Sequence, residues 1–290
     1  MFELFGLFNS NTQLGVDVGN NIRVAKYNDN SFKTKEYQEL STEIKKDFNT
    51  KNVVMAINSN QIRVKFLDLP EGLAADEIKQ MIELEFEASN LILQYEVIDF
   101  FAGQYIIALG VDKEIIQDKF DQMKELGFKP QVIETEFHAN IRFLYQQRPY
   151  LQQTVSLIDI GKNKTDLIIA KKGKPVFVRS FGFAGQHISE RLSKINDITI
   201  AEAEKYKRTK IEPDDLKLVL EEIRTQIYSS LDYFQSEYRG TVSKMFLTGG
   251  STKVHGIKEY LENQVGITTQ RLDESVFSVA KGLALRGQNN

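Results

Sequence analysis

Two short segments of the chain share an order of residues that could bind a phosphate and its metal. Residues 14–26 and residues 157–169 both run apolar, Asp, apolar, Gly, polar, Asn, and then return to apolar residues. The matching pairs are Asp17 with Asp159, Gly19 with Gly161, and Asn21 with Asn163. A turn glycine lets backbone N–H groups approach phosphate oxygens without a Cβ. An aspartate can hold a hydrated Mg²⁺.

Each of these segments predicts a β-hairpin that turns at its glycine. The second hairpin continues through a turn at 171–175 into a strand at 176–181, and the first continues through 28–31 into a further strand. Two βββ units, each followed by helical segments, predict two α/β halves that face each other and grip a triphosphate. A lone Asp-x-Gly usually marks only a turn, but two copies in matching contexts are much rarer.

Further candidate residues lie in the second half of the sequence. The strand 245–248 runs into Gly249 and Gly250, a junction that can lie flat against a purine or be only a connection. Gly185 opens a predicted helix. Glu204 and Lys207 are three apart on another helix, where a solvated ion pair is the simpler interpretation. Residues 275–285 predict a small-residue helix suited to packing closely across a domain hinge.

Composition excludes several classes of function. The net charge is −3 with both signs mixed along the chain, which argues against nucleic-acid binding. The absence of cysteine excludes disulfides, thiolate metal sites and a cysteine nucleophile. The three histidines lack metal-ligand spacing.

No apolar run approaches the roughly 20 residues that span a bilayer, so we expect a soluble cytoplasmic protein. The apolar residues 1–8 predict an edge segment, or else a docking patch for a membrane or partner.

The long segment 214–238 carries apolar residues at a spacing of three to four. This pattern predicts one helix with a continuous buried stripe. The spacing drifts from strict heptads, so a core helix is favoured over a coiled-coil interface.

The order of these motifs resembles the phosphate 1, phosphate 2, adenosine and connect 2 motifs of the actin/Hsp70/sugar-kinase superfamily. Within it the chain most resembles the PilM-type proteins of type IV pilus assembly, with FtsA as a cousin. The resemblance covers essentially the full length, and its most discriminating part is the middle, at 61–70, 76–87, 105–111 and 127–136. This part corresponds to the inserted subdomain of the family, called 1C.

The resemblance implies an α/β, actin-like (ribonuclease H-like duplicated) fold, with two halves around a nucleotide cleft. The implied domains are 1–154, with the 1C-type subdomain inserted at about 60–134, then 155–274, and a C-terminal helix at 275–290 that returns to the first domain.

The resemblance also implies a role for each candidate residue. The residues that would face phosphates and Mg²⁺ are Asp17, Gly19, Asn20, Asn21, Asp159, Gly161 and Asn163. Of these, Asp17 and Asp159 would hold the metal through water. The nucleoside would be lined by Gly185, Glu204, Lys207, Gly249, Gly250 and Ser251. Glu136 is the candidate to orient an attacking water. The family usually has small or hydroxyl residues after each Asp-x-Gly, whereas Asn20, Asn21 and Lys162 stand here; Lys162 could contact a phosphate or crowd the metal.

The implied function is a cytoplasmic scaffold at the inner face of the cell membrane that binds ATP with Mg²⁺ and hydrolyses it slowly or not at all. It would bind the short cytoplasmic tail of a PilN-like inner-membrane protein in a type IV pilus or related secretion platform. It would reach the membrane only through this partner, and it could self-associate. The alternatives are a filament-forming protein of the FtsA or MreB kind and a small-molecule kinase of the same superfamily.

Overall fold

The computed structural model of the protein describes residues 13–87, 90–100, 103–209 and 211–286. The chain divides into two compact units. Unit 1 contains the described residues from 13 to 149 and from 277 to 286, and unit 2 is Tyr150–Val276. The sequence predicts boundaries at 154/155 and 274/275. The edge segment predicted at 1–8 lies outside the described residues.

Unit 1 is built on a mixed sheet. Its strands are β1 (Leu14–Val18), β2 (Ile22–Asn28), β3 (Ser31–Tyr37), β4 (Asn52–Ile57) and β8 (Lys129–Thr135). The strand order is β3-β2-β1-β4-β8, in which β1, β2 and β3 form an antiparallel meander and β4 and β8 run parallel to β1. The helices of this part are α1 (Glu43–Phe48), α4 (Glu136–Gln147) and α9 (Ser278–Ala284).

The small residues of α9 let this helix pack against the sheet and against α4. A Cβ added at Gly15 of β1 would lie 1.9 Å from the carbonyl oxygen of Ala280. A Cβ added at Gly282 would lie 1.9 Å from the carbonyl oxygen of Ala139. Neither position can therefore carry a side chain, and α9 packs at backbone distance on β1 and α4 within unit 1. Packing across a domain hinge stays a prediction.

A buried ion cluster fixes the chain just after α9. Glu134, at the end of β8, accepts two hydrogen bonds from Arg142 at 2.6 and 2.8 Å and a third from Arg286. Arg142 also donates to the carbonyl oxygen of Gly282 at 2.7 Å. We call Glu134, Arg142 and Arg286 the Glu134 cluster. It joins β8, α4 and the end of the described chain.

A smaller sheet stands between β4 and β8 in the sequence. Its strands are β5 (Arg63–Asp68), β6 (Leu91–Phe100) and β7 (Gly103–Asp112), antiparallel in the order β5-β7-β6, with helices α2 (Ala75–Phe86) and α3 (Lys113–Glu125). The apolar face of α2 supplies Ile78, Ile82 and Phe86 to a core shared with β6 and β7. These elements fall within residues 60–134, where the resemblance implies an inserted subdomain.

Unit 2 repeats the topology of unit 1. Its elements are β9 (Val155–Ile160), β10 (Thr165–Lys171), β11 (Lys174–Phe181), α5 (Gly185–Asn196), α6 (Ile200–Tyr206), α7 (Pro213–Tyr238), β12 (Lys244–Thr248), α8 (Ile257–Val265) and β13 (Thr269–Arg271). The strand order is β11-β10-β9-β12-β13, again an antiparallel meander followed by two strands parallel to its first. The predicted pair of βββ units is confirmed.

Helix α7 forms part of the core of unit 2, as its apolar stripe predicts. Val219, Leu220, Ile223, Ile227 and Phe234 are at most 1% exposed. The helix begins with Pro213 in its first turn, where a missing N–H costs nothing.

Candidate functional site

The β9–β10 turn of unit 2 contains the second Asp-x-Gly. Asp159 is the penultimate residue of β9 and is half-buried, while Lys162 and Asn163 are exposed in the turn. The N–H of Gly161 donates to the carbonyl oxygen of Lys164 at 2.9 Å, which closes the turn. Strand geometry therefore places the aspartate at the carboxyl end of a central strand, where ligands bind in sheets of this kind.

The start of α5 is tied directly to this turn. The N–H of Gly185 donates to the carbonyl oxygen of Gly161 at 3.1 Å, and the N–H of Gln186 donates to that of Lys162 at 2.8 Å. The hydroxyl of Ser251 also donates to the carbonyl oxygen of Gly161, at 2.7 Å. A Cβ at Gly185 would lie 1.9 Å from Ser251 Oγ. Residues from three distant segments thus meet at one turn.

The double glycine lies against the same aspartate. Gly249 has φ 89° and ψ 163°, and a Cβ there would lie 2.3 Å from Asp159 Oδ1. Gly250 is exposed, and a Cβ there would meet no atom within 4 Å. Gly250 begins a 3₁₀ turn at Gly250–Lys253 that precedes α8. A side chain at position 249 would clash with Asp159, whereas a side chain at position 250 would extend into open space.

Glu204 and Lys207 are not the solvated pair that their spacing alone favours. Lys207 is only 5% exposed and donates to the carbonyl oxygen of Gly185 at 3.0 Å, to Ser189 Oγ at 2.7 Å and to Glu204 Oε1 at 2.7 Å. Burial lowers the pKa of Lys207, and Glu204 opposes that shift. The three ammonium hydrogens are all engaged. Lys207 therefore binds the start of α5 to α6.

Glu204 itself is partly exposed. Burial acts to raise its pKa, but hydrogen bonds from Lys207 and Ser189 outweigh burial, so the pKa lies below the ordinary value. Both donors share one carboxylate oxygen, Oε1, at 2.7 and 2.5 Å. The carboxylate is thus ionised and fixed in place at neutral pH.

Sequence reasoning missed Asp166, which lies directly opposite Asp159 in the β9–β10 ladder. Opposed residues of an antiparallel pair point to the same face, so the two carboxylates are neighbours. Asp166 is 3% exposed and accepts from Lys164 Nζ at 2.6 Å and from the hydroxyl of Ser180. The hairpin register, counted back from the turn, is the signal that could have found it.

The first Asp-x-Gly turn, in unit 1, has a different electrostatic environment. Asp17 is 7% exposed, and the residue opposite it in the ladder is Arg23, whose guanidinium lies 3.8 Å from Asp17 Oδ2. Arg23 and the amide of Asn21 both donate to Glu36 Oε1, at 3.1 and 3.0 Å. The N–H of Gly19 donates to the carbonyl oxygen of Asn21 at 3.3 Å. Asp17 therefore faces a cation, whereas Asp159 faces a second carboxylate.

Glu136 begins α4, directly after β8. It is 8% exposed and accepts from the N–H and the hydroxyl of Ser59, both at 3.2 Å. Strands β1, β4 and β8 are parallel, so Asp17, Ser59 and Glu136 all lie at the carboxyl edge of the sheet of unit 1. Lys119 of α3, a second residue that sequence reasoning missed, is within electrostatic reach of Glu136 and Asp17.

Neither a membrane-spanning helix nor a protein-only metal site is found in the described part of the chain. None of its helices is long and apolar enough to cross a bilayer. Within the same residues, no group of three or more His, Cys, Asp or Glu side chains could hold a metal ion.

Three solved structures share this architecture. One is described as a PilM-PilN type IV pilus biogenesis complex, with a TM-score of 0.81 and 18% identity over 96% of this chain and 99% of that one. MreB 5 of Spiroplasma citri bound to AMPPNP gives 0.58 and 16%, covering 97% of each chain. The ethanolamine utilization protein EutJ from Carboxydothermus hydrogenoformans gives 0.56 and 14%, over 98% and 92%.

The fold is therefore actin-like, as the duplicated topology and the motif order predict. A family model described as "Type IV pilus assembly protein PilM" matches residues 22–281. The chain belongs to the PilM family of type IV pilus assembly proteins. The match begins at Ile22, so the first Asp-x-Gly turn precedes the matched residues.

Proposed function

We propose that this protein is a cytoplasmic, ATP-binding component of the inner-membrane assembly platform of a type IV pilus, or of a related secretion system. It binds the cytoplasmic tail of a PilN-like membrane protein. Family membership supports the pilus role. The partner is supported by fold similarity to a protein of a PilM-PilN complex, and nucleotide binding by fold similarity to an AMPPNP-bound MreB.

One observation carries the proposal for nucleotide binding: the convergence in unit 2 of Asp159, Gly161, Gly185, Gly249 and Ser251. The backbone of the β9–β10 turn and the N-terminus of α5, a helix of 12 residues, lie together. The N-terminal end of α5 carries the positive end of the helix dipole, which favours phosphate oxygens beside this turn. Asn163 and Lys162 in the exposed part of the turn would add an amide and an ammonium. The turn of unit 1, with Gly19, Asn20 and Asn21, would be the second phosphate-binding turn.

The nucleoside would be bound by Gly250, Glu204 and Ser251. Open space beside Gly250 admits a flat base, which a side chain there would obstruct. Glu204 Oε2 is available to accept from ribose hydroxyls, since Oε1 takes the hydrogen bonds from Ser189 and Lys207. Lys207 acts as a positioning residue because its hydrogens hold Gly185 and Glu204.

The residues present fit a hydrated Mg²⁺. Magnesium in nucleotide sites is held by one or two carboxylates, several waters and phosphate oxygens. Asp159 and Asp166 supply paired carboxylates on one face, and Asp17 supplies one in unit 1. When bound, the ion would neutralise phosphate charge. Glu136, whose carboxylate Ser59 holds at the carboxyl edge of its sheet, is the proposed residue to orient an attacking water in slow hydrolysis.

Calorimetric titration of Mg-ATP tests the site. We expect Asp159→Asn to weaken binding about 10- to 100-fold, the size expected for losing a charged contact. Asp17→Asn should have a smaller effect because Arg23 already compensates this carboxylate. The exposed Asp232→Asn on α7 is the matched control and should bind like the wild type. A folded wild-type protein that binds no Mg-ATP would refute nucleotide binding.

The partner is tested by titrating a synthetic peptide of a PilN-like cytoplasmic tail with and without Mg-ATP. Binding whose affinity depends on the nucleotide supports an assembly scaffold. The second candidate is an FtsA- or MreB-like filament protein, which the fold similarity to MreB favours. Sedimentation of polymers with Mg-ATP, together with no peptide binding, would select that function instead.

A further inference from the structure

Helix α3 has a lysine within its buried stripe. Ile116, Lys119, Phe120 and Met123 follow the i, i+3, i+4, i+7 spacing of one helix face. Ile116 and Met123 are 2% and 1% exposed, and Lys119 is half-buried beside them. Placing an ammonium near an apolar face costs free energy unless it gains a partner. The ammonium of Lys119 therefore needs a hydrogen-bond acceptor.

Helix α3 packs against β8, which leads directly into Glu136 at the carboxyl edge of the sheet of unit 1. Burial lowers the pKa of Lys119, and Glu136 and then Asp17 act in the opposite direction. These carboxylates have closer partners: Ser59 donates twice to Glu136, and Arg23 lies 3.8 Å from Asp17. Within the described residues, the ammonium of Lys119 makes neither a hydrogen bond nor an ion pair. The ammonium of Lys119 is attracted to the carboxylates of Glu136 and Asp17 but forms no hydrogen bond with either of them.

We propose that Lys119, supplied by the helix that leads from the inserted sheet into β8, contacts a phosphate group of the bound nucleotide at the turn that holds Asp17. This inference rests on the proposed nucleotide binding. A phosphate oxygen would give the ammonium an acceptor that Asp17 and Glu136 do not give at hydrogen-bond distance. The contact would make the inserted sheet and its helices respond to the presence of the nucleotide.

A purely structural role for Lys119, as a counter-charge for Glu136, makes a different prediction. In that case its removal would lower stability without changing the affinity for phosphates. In the proposed role, the ammonium is shielded only when phosphate is bound. Affinity and chemical accessibility together separate the two roles.

The first measurement is titration of Mg-ATP into the wild-type protein, Lys119→Met and Lys124→Met. Methionine keeps an apolar stem of similar length, and Lys124 is an exposed lysine on the same helix. We expect Lys119→Met to bind about 10- to 100-fold more weakly, since a charged hydrogen bond is lost. Lys124→Met should bind like the wild type, and Lys119→Arg should retain most of the affinity.

The second measurement needs no variant and so does not depend on folding of Lys119→Met. The wild-type protein is acetylated with and without Mg-ATP, and the rate at each lysine is read by mass spectrometry. Mg-ATP should slow acetylation of Lys119 several-fold relative to Lys124, and adenosine should not. A wild-type protein that binds Mg-ATP without protecting Lys119 overturns this inference and leaves the proposed function standing. A wild-type protein that binds no Mg-ATP overturns both.

Discussion

Two adjacent glycines of unit 2, Gly249 and Gly250, should respond in opposite ways to the same substitution. Gly249→Ala places a methyl group 2.3 Å from Asp159 Oδ1 and 2.6 Å from the carbonyl oxygen of Ile160. The first atom belongs to a side chain and can move, but the second is backbone. Gly249 also has φ 89° and ψ 163°, a region that is essentially restricted to glycine.

The magnitude follows from these two effects. The backbone conformation costs about 1–3 kcal/mol for a residue with a Cβ, and overpacking adds roughly 1–3 kcal/mol. We therefore expect Gly249→Ala to lower the free energy of unfolding by about 2–6 kcal/mol. At Gly250 the added methyl meets no atom within 4 Å and φ is not positive. Gly250→Ala should change the free energy of unfolding by less than about 0.5 kcal/mol.

Urea unfolding followed by far-ultraviolet circular dichroism measures both variants, and calorimetry measures Mg-ATP binding. Gly250→Ala should fold like the wild type but bind Mg-ATP more weakly, because the methyl group would occupy the space proposed for the base. Gly249→Ala with wild-type stability would contradict the packing of Gly249 against Asp159. Undiminished Mg-ATP binding by Gly250→Ala would remove Gly250 from the nucleoside site.

Two further predictions concern buried charges of unit 1. Glu134→Gln leaves Arg142 and Arg286 without their buried carboxylate and should cost about 3–5 kcal/mol in urea unfolding. Burial opposes ionisation of Glu134, but Arg142 and Arg286 hold its pKa below the ordinary value. Its stabilisation is thus present above the unfolded-state pKa and lost in acid, so the difference between variant and wild type should shrink as the pH falls. Burial lowers the pKa of His138 to about 3, so stability should fall as the pH drops from about 6.5 towards 3, and His138→Asn should flatten that slope.

Much of the fold was predictable because the duplication leaves local signals. Each Asp-x-Gly hairpin carries its own turn residues and apolar strands, and β1–β3 and β9–β11 form as predicted. The stripe of α7 predicts both its extent and its burial, since 3.6-residue periodicity is a local property. The small residues of 275–285 predict close packing, and Gly282 packs against the backbone of Ala139.

The environment of the candidate site was less predictable because it depends on register and on contacts distant in sequence. The spacing of Glu204 and Lys207 alone favours a solvated pair, but Lys207 is buried by contacts with Gly185 and Ser189. Asp166 faces Asp159 only because the turn length fixes the hairpin register. Lys119 is brought towards Glu136 by the packing of α3 on β7 and β8, which no local pattern encodes.

The Asp17 turn of unit 1 and the Asp159 turn of unit 2 share a topology but differ in their electrostatic environment. This difference would affect which part of a nucleotide each turn prefers. In unit 1, Arg23 lies opposite Asp17, so this turn combines a carboxylate with a cation and suits an anionic phosphate as well as a metal. In unit 2, Asp166 lies opposite Asp159 and accepts a hydrogen bond from Lys164. A divalent cation is favoured where carboxylates are paired. If nucleotide binds as proposed, the turn of unit 2, with its two opposed carboxylates, would favour the metal, and the turn of unit 1, with Arg23 beside Asp17, would favour phosphate.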